Sequence, residues 1–273
     1  MSKRTALATA VRAAERTLGR ARVAKLARFV TNEIRLDRCN DMRINGEALV
    51  QRTARKMAHP VVFDVGCHFG EWTSSLLAQP GNSTLVHAFE PSASSAARAR
   101  AALGEAAVIH QVAMSSTKGR SALQIVHEGA GSNSLVPFTD KARMSGGVEV
   151  VELNTVDDFA AAQGIDEITL LKIDAEGHDL EVMRGASEHL RRNRIHLVQF
   201  EYNLRWIDAR LFLLDAFELL TGHGYRLGKV TPRGIETYER WHPELESFRE
   251  ANYLAYLPQW SPALKTFPWW GPG

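Results

Sequence analysis

From residue 59 onward, short apolar runs alternate with stretches of helical periodicity, which predicts strands separated by helices. Residues 61–64 read as a strand buried on both faces, because nothing polar interrupts the run before its terminal acid. Residues 71–78 read as a helix that opens after Gly70 and is stopped by Gln79-Pro80-Gly81-Asn82. Residues 84–89 make a second strand. Residues 92–103 make an Ala/Arg-rich helix capped by Ser92 and closed at Gly104, and residues 107–112 a third strand. Between residues 115 and 151 the rhythm breaks, and residues 120–127 and 147–153 read as a ribbon with a Gly/Ser/Asn loop, 128–134, between its strands. It resumes at Thr155, a helix cap with Asp158 in the capping-box position. Residues 168–174 and 195–201 read as strands four and five, 179–185 as a helix, and 211–220 as a helix stopped by Gly222 and Gly224. Residues 225–230 and 251–257 read as the last two strands, antiparallel neighbours at one edge. The Pro/Trp-rich tail, 258–273, reads as irregular coil. Ahead of the core, residues 5–38 predict two helices hinged near Gly19, and residues 46–57 a third.

Composition adds an asymmetry. A length of 273 residues with 45% hydrophobic content suits one large α/β domain, residues 59–258, between a helical extension, 1–58, and the tail, 259–273. The net charge of +2 argues against a dedicated nucleic-acid binder. Yet residues 1–38 hold ten Lys/Arg against Glu15, Glu33 and Asp37, an excess of seven positive charges. Three readings stay open for this segment. It is a solvated arm packed by Leu18, Leu26, Phe29 and Val30; a surface for an anionic membrane or an acidic partner; or an Arg-rich, acid-poor targeting segment. Two cysteines, Cys39 and Cys67, form no metal-ligand pattern and fit a reducing, cytoplasmic setting. No apolar run reaches the ~18 residues of a membrane span.

The candidate chemistry starts at Asp64-Val65-Gly66-Cys67-His68-Phe69-Gly70. Its Asp-x-Gly-x-x-x-Gly spacing differs from the Gly-x-Gly-x-x-Gly of a dinucleotide pyrophosphate grip. Such a loop leaves room for a nucleoside with an amino-acid arm, and Asp64 sits where it can face a cationic amine or sulfonium. Glu90, in Phe89-Glu90-Pro91, ends the next strand twenty residues after Gly70, placed to accept from two ribose hydroxyls. Cys67 is a small residue of this loop with no partnered base, so its thiol is not read as a nucleophile.

With Glu90 in place, the pattern resembles the class I S-adenosylmethionine-dependent methyltransferases, and more narrowly the FkbM family. Further motifs carry the resemblance: Val112-Ala113-Met114-Ser115 before Gly119, Gly131-Ser132-Asn133-Ser134, and Leu153-Asn154-Thr155-Val156-Asp157-Asp158-Phe159. The most family-specific is Leu170-Leu171-Lys172-Ile173-Asp174-Ala175-Glu176-Gly177. The likeness covers roughly residues 61–257. It implies a Rossmann-like, seven-stranded, mostly parallel sheet with an antiparallel last strand and helices on both faces. It also implies S-adenosylmethionine as cofactor and methyl transfer to a hydroxyl of a sugar, glycan, glycolipid or natural product. In such a fold ligands sit at the carboxyl ends of the strands. That places Asp64, Gly66, Cys67, Gly70, Glu90 and Asp174 around the cofactor, with Ala113 and Met114 lining an adenine slot.

Asp174, Glu176, His178 and Asp179 crowd one turn after strand four. An alcohol is a poor nucleophile, so a base is expected, and Asp174 and His178 are the candidates. Glu176, Glu201 and Asn133 are candidates for substrate contact, Asn133 through a loop that closes over the site. Lys172 alternates inward and is expected to pair with a buried acid. Tyr202, Trp206 and Trp241 are candidates for a sugar platform. No metal is assigned; a divalent cation between Asp174 and Glu201 is the alternative way to lower an alcohol's pKa. The turn lacks the Pro-Pro-aromatic sequence common among amine-methylating enzymes, which favours an oxygen acceptor. A nicotinamide-dependent oxidoreductase and a non-catalytic cofactor-binding scaffold stay open beside this reading.

Overall fold

The computed structural model describes residues 2–36, 41–127, 129–140 and 145–271. The sheet is built outward from β1 (Val61–Val65), which pairs in parallel with β2 (Leu85–Phe89) on one side and β7 (Ile168–Ile173) on the other. β2 continues to β3 (Val108–His110), and β7 to β8 (Ile195–Tyr202), all parallel. The chain moves outward one way from β1 to β3 and the other way from β7 to β8. The switch point therefore lies between β1 and β7, where an open α/β sheet leaves a crevice at the strands' carboxyl ends.

Alternation along each strand sorts the core into two layers. Phe63, Leu171 and Val198 face one cluster with Val156, Leu180, Leu190 and Leu213. Those partners come from α6 (Val156–Gln163), α7 (Asp179–Arg184), α8 (Ser187–Arg191) and α10 (Leu213–Gly222). Val62, Leu170 and Leu197 face the opposite cluster with Val50, Ala54 and Leu76, from α3 (Glu47–Lys56) and α4 (Glu71–Ala78). Leu103 of α5 (Ala93–Leu103) joins this second layer. Thr155 caps α6 as expected, accepting the Asp158 amide at 2.9 Å. Ser92 precedes α5, but its side chain caps nothing.

The sheet has nine strands rather than seven, in the order β12-β10-β9-β11-β8-β7-β1-β2-β3. β11 (Ala251–Tyr256) runs antiparallel between β8 and β9 (Arg226–Thr231), so the expected reversed strand is present. The expected edge is not there, because β10 (Gly234–Tyr238) turns back on β9, and β12 (Thr266–Pro268), from the tail read as coil, pairs with β10. Neither carries an apolar run that would announce it. β12 holds a proline that only an edge position tolerates. The third strand is shorter than expected because the chain leaves the sheet to form β4 (Ala113–Met114). β4 pairs with β6 (Gly147–Asn154), and β6 with β5 (Gly119–Ile125), in a separate three-stranded sheet. Two short helices, α8 and α9 (Arg205–Ala209), were not anticipated.

Residues Met1–Cys39 and Asn40–Gly273 form two compact units. In the first, α1 (Lys3–Leu18) and α2 (Arg20–Arg35) meet at Gly19, whose φ of +82° makes the expected hinge. Neither helix buries a residue. Leu18, Leu26, Phe29 and Val30 are 49, 58, 62 and 47% exposed, so they do not pack the arm as expected. Asp37, Arg38 and Cys39 of the basic segment, Glu128 of the loop, and Pro272 and Gly273 of the tail lie outside the described residues. No described helix is long and apolar enough to cross a membrane.

One half-buried histidine pair makes the fold acid-sensitive. His87 Nδ1 of β2 lies 3.0 Å from His110 Nε2 of β3, among Phe63, Phe89 and Phe159. Burial lowers both pKa values, that of His110 from 6.5 to about 4, with His87 adding to the effect there. Between these limits the folded chain binds fewer protons than the unfolded one. The stability contributed by neutral His110 is thus complete above pH 6.5 and lost as pH falls through about 4. Glu90, raised to about 7 chiefly by burial, has the opposite sign, losing its contribution as pH rises. Melting temperatures of wild type and His110→Gln, taken from pH 7 to pH 4, should converge or cross as pH falls; a constant gap would refute this assignment.

Candidate active site

At the switch point a polar row crosses three neighbouring strands. The register sets Asp64 of β1 beside Lys172 of β7, and Lys172 beside Gln199 of β8. All three share the face covered by α3 and α4, since each lies two residues on from Val62, Leu170 or Leu197. Lys172 Nζ lies 3.0 Å from Asp64 Oδ1 and 3.6 Å from Asp174 Oδ2, and donates to the Gly66 carbonyl at 3.2 Å. The Thr73 hydroxyl donates to Asp64 Oδ2 at 2.6 Å. Burial pulls the ammonium toward its neutral form, and the carboxylates of Asp64 and Asp174 outweigh it, so its pKa stands above that of an ordinary lysine. Lys172 thus makes the expected buried pair. Asp64, expected to face a cofactor amine, is instead 0% exposed beneath Lys172 and does not reach the cavity.

The loop after β1 is held against its neighbours by its backbone. The amides of Gly66 and Cys67 donate to the Phe89 carbonyl at 2.9 and 3.1 Å. Gly66 has φ +75°, and a Cβ there would sit 1.9 Å from the Asp174 carbonyl oxygen, so only glycine fits this approach. Gly70 heads α4 at φ +89° against Leu103 and is not among the residues that line the cavity. Burial pushes the Cys67 thiol up, which keeps it protonated. Glu90 ends β2 with Oε2 accepting from the His68 amide at 3.0 Å and Oε1 from the Ser92 amide at 2.9 Å.

A cavity of ≈ 400 Å³ opens above these strand ends. Gly66, Cys67, Glu90, Ala113, Met114, Asn133, Asp174, Glu176 and His178 all line it, so it gathers most of the residues nominated from the sequence. Ala113, Met114, Leu123 and Leu135 form an apolar wall. Asn133 spends its Oδ1 on the Val126 amide at 3.0 Å, and the Ser134 hydroxyl donates to the Glu176 carbonyl at 2.7 Å. The first bond holds the loop within its ribbon, and the second ties it to the turn after β7. Asp179 shapes that turn: buried, it accepts the amides of Ala175 and Gly177 at 3.1 and 3.0 Å.

Carboxylates crowd the far side. Glu201 does not line the cavity, but one carboxylate oxygen each from Glu201, Asp174 and Glu176 lie within 4.8 Å of one another. Burial, then repulsion from Asp174 and Asp179, pushes Glu176 up to about 8. Burial, then Asp174 and Glu176, holds Glu201 well above the carboxylate range. His178 Nε2 lies 2.9 Å from the Ser115 hydroxyl, and burial lowers its pKa, leaving a neutral imidazole at neutral pH.

Two expectations fail here. Tyr202 and Trp206 are fully buried in the core beneath the rim and offer no sugar platform. Trp241, partly buried, donates to Glu246 and does not line the cavity. Conversely, Glu47, Trp72 and Asn252 line the cavity without having been anticipated. Glu47 accepts from Trp72 Nε1 at 2.6 Å and from the side-chain amides of Gln199, Asn45 and Asn252 at 2.7, 2.5 and 3.3 Å. Apart from Asn45, its partners lie 25, 152 and 205 residues along the chain, a spacing no local pattern can signal.

The sequence pattern described as "Methyltransferase FkbM domain" matches residues 64–227. The chain belongs to that family. It is an S-adenosylmethionine-dependent methyltransferase, which sets aside the nicotinamide-dependent alternative. It is 26% identical over 197 residues to the 2-O-methyltransferase NoeI of Sinorhizobium fredii (strain NBRC 101917 / NGR234), a match spanning 65% of this chain and 76% of that protein. It is similar to the crystal structure of methyltransferase FkbM from Methylobacillus flagellatus KT, with 17% identity and a TM-score of 0.47 over 72% of this chain. The match spans only 44% of that protein. A SAM-dependent methyltransferase from Aquifex aeolicus is 12% identical, with a TM-score of 0.41 over 82% of this chain and 96% of that one. The donor set fits the family's cofactor. The cavity offers an amide-oriented carboxylate at Glu90, an apolar wall at Ala113 and Met114, and a second carboxylate at Asp174.

Removing one member of a buried ion pair strands the other charge. Lys172→Met should cost about 3–5 kcal/mol in urea unfolding. The double change Asp64→Leu, Lys172→Met should recover much of that loss, and equal destabilisation of single and double variants would contradict the pairing.

Proposed function

We propose that this chain transfers the methyl group of S-adenosylmethionine to a hydroxyl oxygen of a sugar, glycan, glycolipid or hydroxylated natural product. The observation that carries the reading is the pair Asp174 and His178, both lining the same cavity as Glu90. When bound, the cofactor supplies an electrophilic methyl on a sulfonium. Glu90, its carboxylate oriented by two amides, accepts from the ribose hydroxyls. Ala113 and Met114 flank the adenine. Asp174 would lie beside the sulfonium and would take the hydroxyl proton as the oxygen–methyl bond forms and the sulfur–methyl bond breaks. His178 stays neutral, held by Ser115, and orients the acceptor or relays that proton. Glu176 and Asn133 contact the acceptor beside them. The match to a protein named as a 2-O-methyltransferase supports an oxygen and a sugar. So does a turn, Asp174-Ala175-Glu176-Gly177, without the prolines that hold a planar amine.

The clustered oxygens of Asp174, Glu176 and Glu201 favour a second reading, in which a divalent cation binds there and lowers the alcohol's pKa. Chelator treatment separates the two: turnover that survives it removes the cation.

The test is transfer of labelled methyl from S-adenosylmethionine into a host extract, with mass spectrometry of the product. Label on a hydroxyl oxygen is expected, and label on nitrogen would overturn the reading. Asp174→Asn should lower turnover about 10²–10⁴-fold, the range for a lost general base. Glu90→Gln should act mainly on cofactor affinity, read by titration calorimetry. Unchanged turnover in Asp174→Asn removes it as the base.

A further inference from the structure

The unit Met1–Cys39 lies outside both the family-matched segment and the cavity lining. Its two helices, of 16 residues each, bury nothing and still expose large apolar side chains. On α1, Leu7, Val11 and Leu18 are 70, 46 and 49% exposed, and at 3.6 residues per turn they fall within about 40° of one another. On α2, Leu26, Val30 and Ile34 follow one another at four-residue spacing, with Phe29 flanking them, and all four are exposed. The same helices carry nine Lys/Arg against two acids, Glu15 and Glu33.

Each feature narrows what can cover this surface. A nucleic acid would use the basic residues and leave the apolar stripes facing water. A second copy would bring two strongly positive surfaces together, and the charge opposes that contact. A lipid surface with anionic headgroups takes both at once. The apolar stripe sinks to the acyl boundary, and the flanking Lys/Arg stay at the headgroups, their stems along the boundary.

We propose that α1 and α2 form a peripheral anchor that binds anionic membrane surfaces, holding the catalytic unit to a lipid bilayer without crossing it. The inference does not depend on which hydroxyl is methylated. The full chain should sediment with phosphatidylcholine vesicles containing phosphatidylglycerol and not with phosphatidylcholine alone, and raised salt should weaken that binding about tenfold or more. The triple variant Leu26→Glu, Phe29→Glu, Val30→Glu should lose binding. So should Arg20→Gln, Arg22→Gln, Lys25→Gln, Arg28→Gln, which keeps every apolar residue. Both variants should retain the S-adenosylmethionine-induced thermal shift of the wild type, which shows that the catalytic unit is folded. Equal binding to neutral and anionic vesicles, or none to either, overturns the proposal. So does a concentration-dependent dimer that the triple variant abolishes, because the apolar stripe is then covered by a second copy.

Discussion

The ammonium of Lys172 is the group on which the site depends. It is 4% exposed, and an isolated charge so placed would cost several kcal/mol. It is tolerable because strand register puts Asp64 directly opposite on the same face, and because the Gly66 carbonyl and Asp174 complete its shell. These partners are the end of β1, the first residue of its loop and the end of β7. One side chain therefore pins together the two strands between which the chain changes direction. The loop must then turn at once, so Gly66 presses against the Asp174 backbone, and the loop amides are carried to the Phe89 carbonyl and the Glu90 carboxylate. The cavity's floor follows from a buried charge that needs three neighbours.

The same arrangement explains the charge state of the rim. Asp64 takes the nearer share of the ammonium, and Asp174, at 3.6 Å, the farther. Glu176, Glu201 and Asp179 have burial and the negative charge of Asp174 against them, and all three are raised, Glu176 to about 8 and Asp179 to about 7. Such a rim holds protons that a fixed positive charge can displace. On the proposed reading that preference has a direction. A sulfonium gains from the carboxylates, and the neutral thioether left after methyl transfer does not, so the same residues favour entry of the donor and departure of its product.

Much of this was legible wherever the signal is local. The strand ends carrying Glu90 and Asp174 follow from mostly apolar runs that stop at an acid, broken only by His87 in one and by Thr169 and Lys172 in the other, and Gly66 from the spacing of its loop. The hinge at Gly19 and the cap at Thr155 are likewise local. What escaped depends on distance. Asp64 has the residue type of a cofactor ligand, and only the register with β7 shows that its charge is spent on Lys172. β10 was hidden because Glu236 and Thr237 sit side by side in its five residues and break any apolar pattern, and β12 because it is three residues long and ends in proline. Tyr202 and Trp206 have the chemistry of a sugar platform, but they sit beneath the rim, where the core needed volume more than the site needed rings.

Glu47 carries this furthest. It sits at the start of α3, before the family-matched segment, and Asn252 sits on β11, beyond it. Both line the cavity, and Trp72 and Gln199, from inside the segment, bond to the same carboxylate. A carboxylate that accepts from four side chains on three strands and helices is rigid, because moving it would leave several buried donors unsatisfied. The polar row Asp64, Lys172 and Gln199 thus ends in a lock supplied by the flanks of the chain. Residues 64–227 contain the strand ends that line the cavity, but they do not by themselves close it. The wall that completes it depends on helix α3 folding back over the sheet and on the antiparallel strand inserted beside β8.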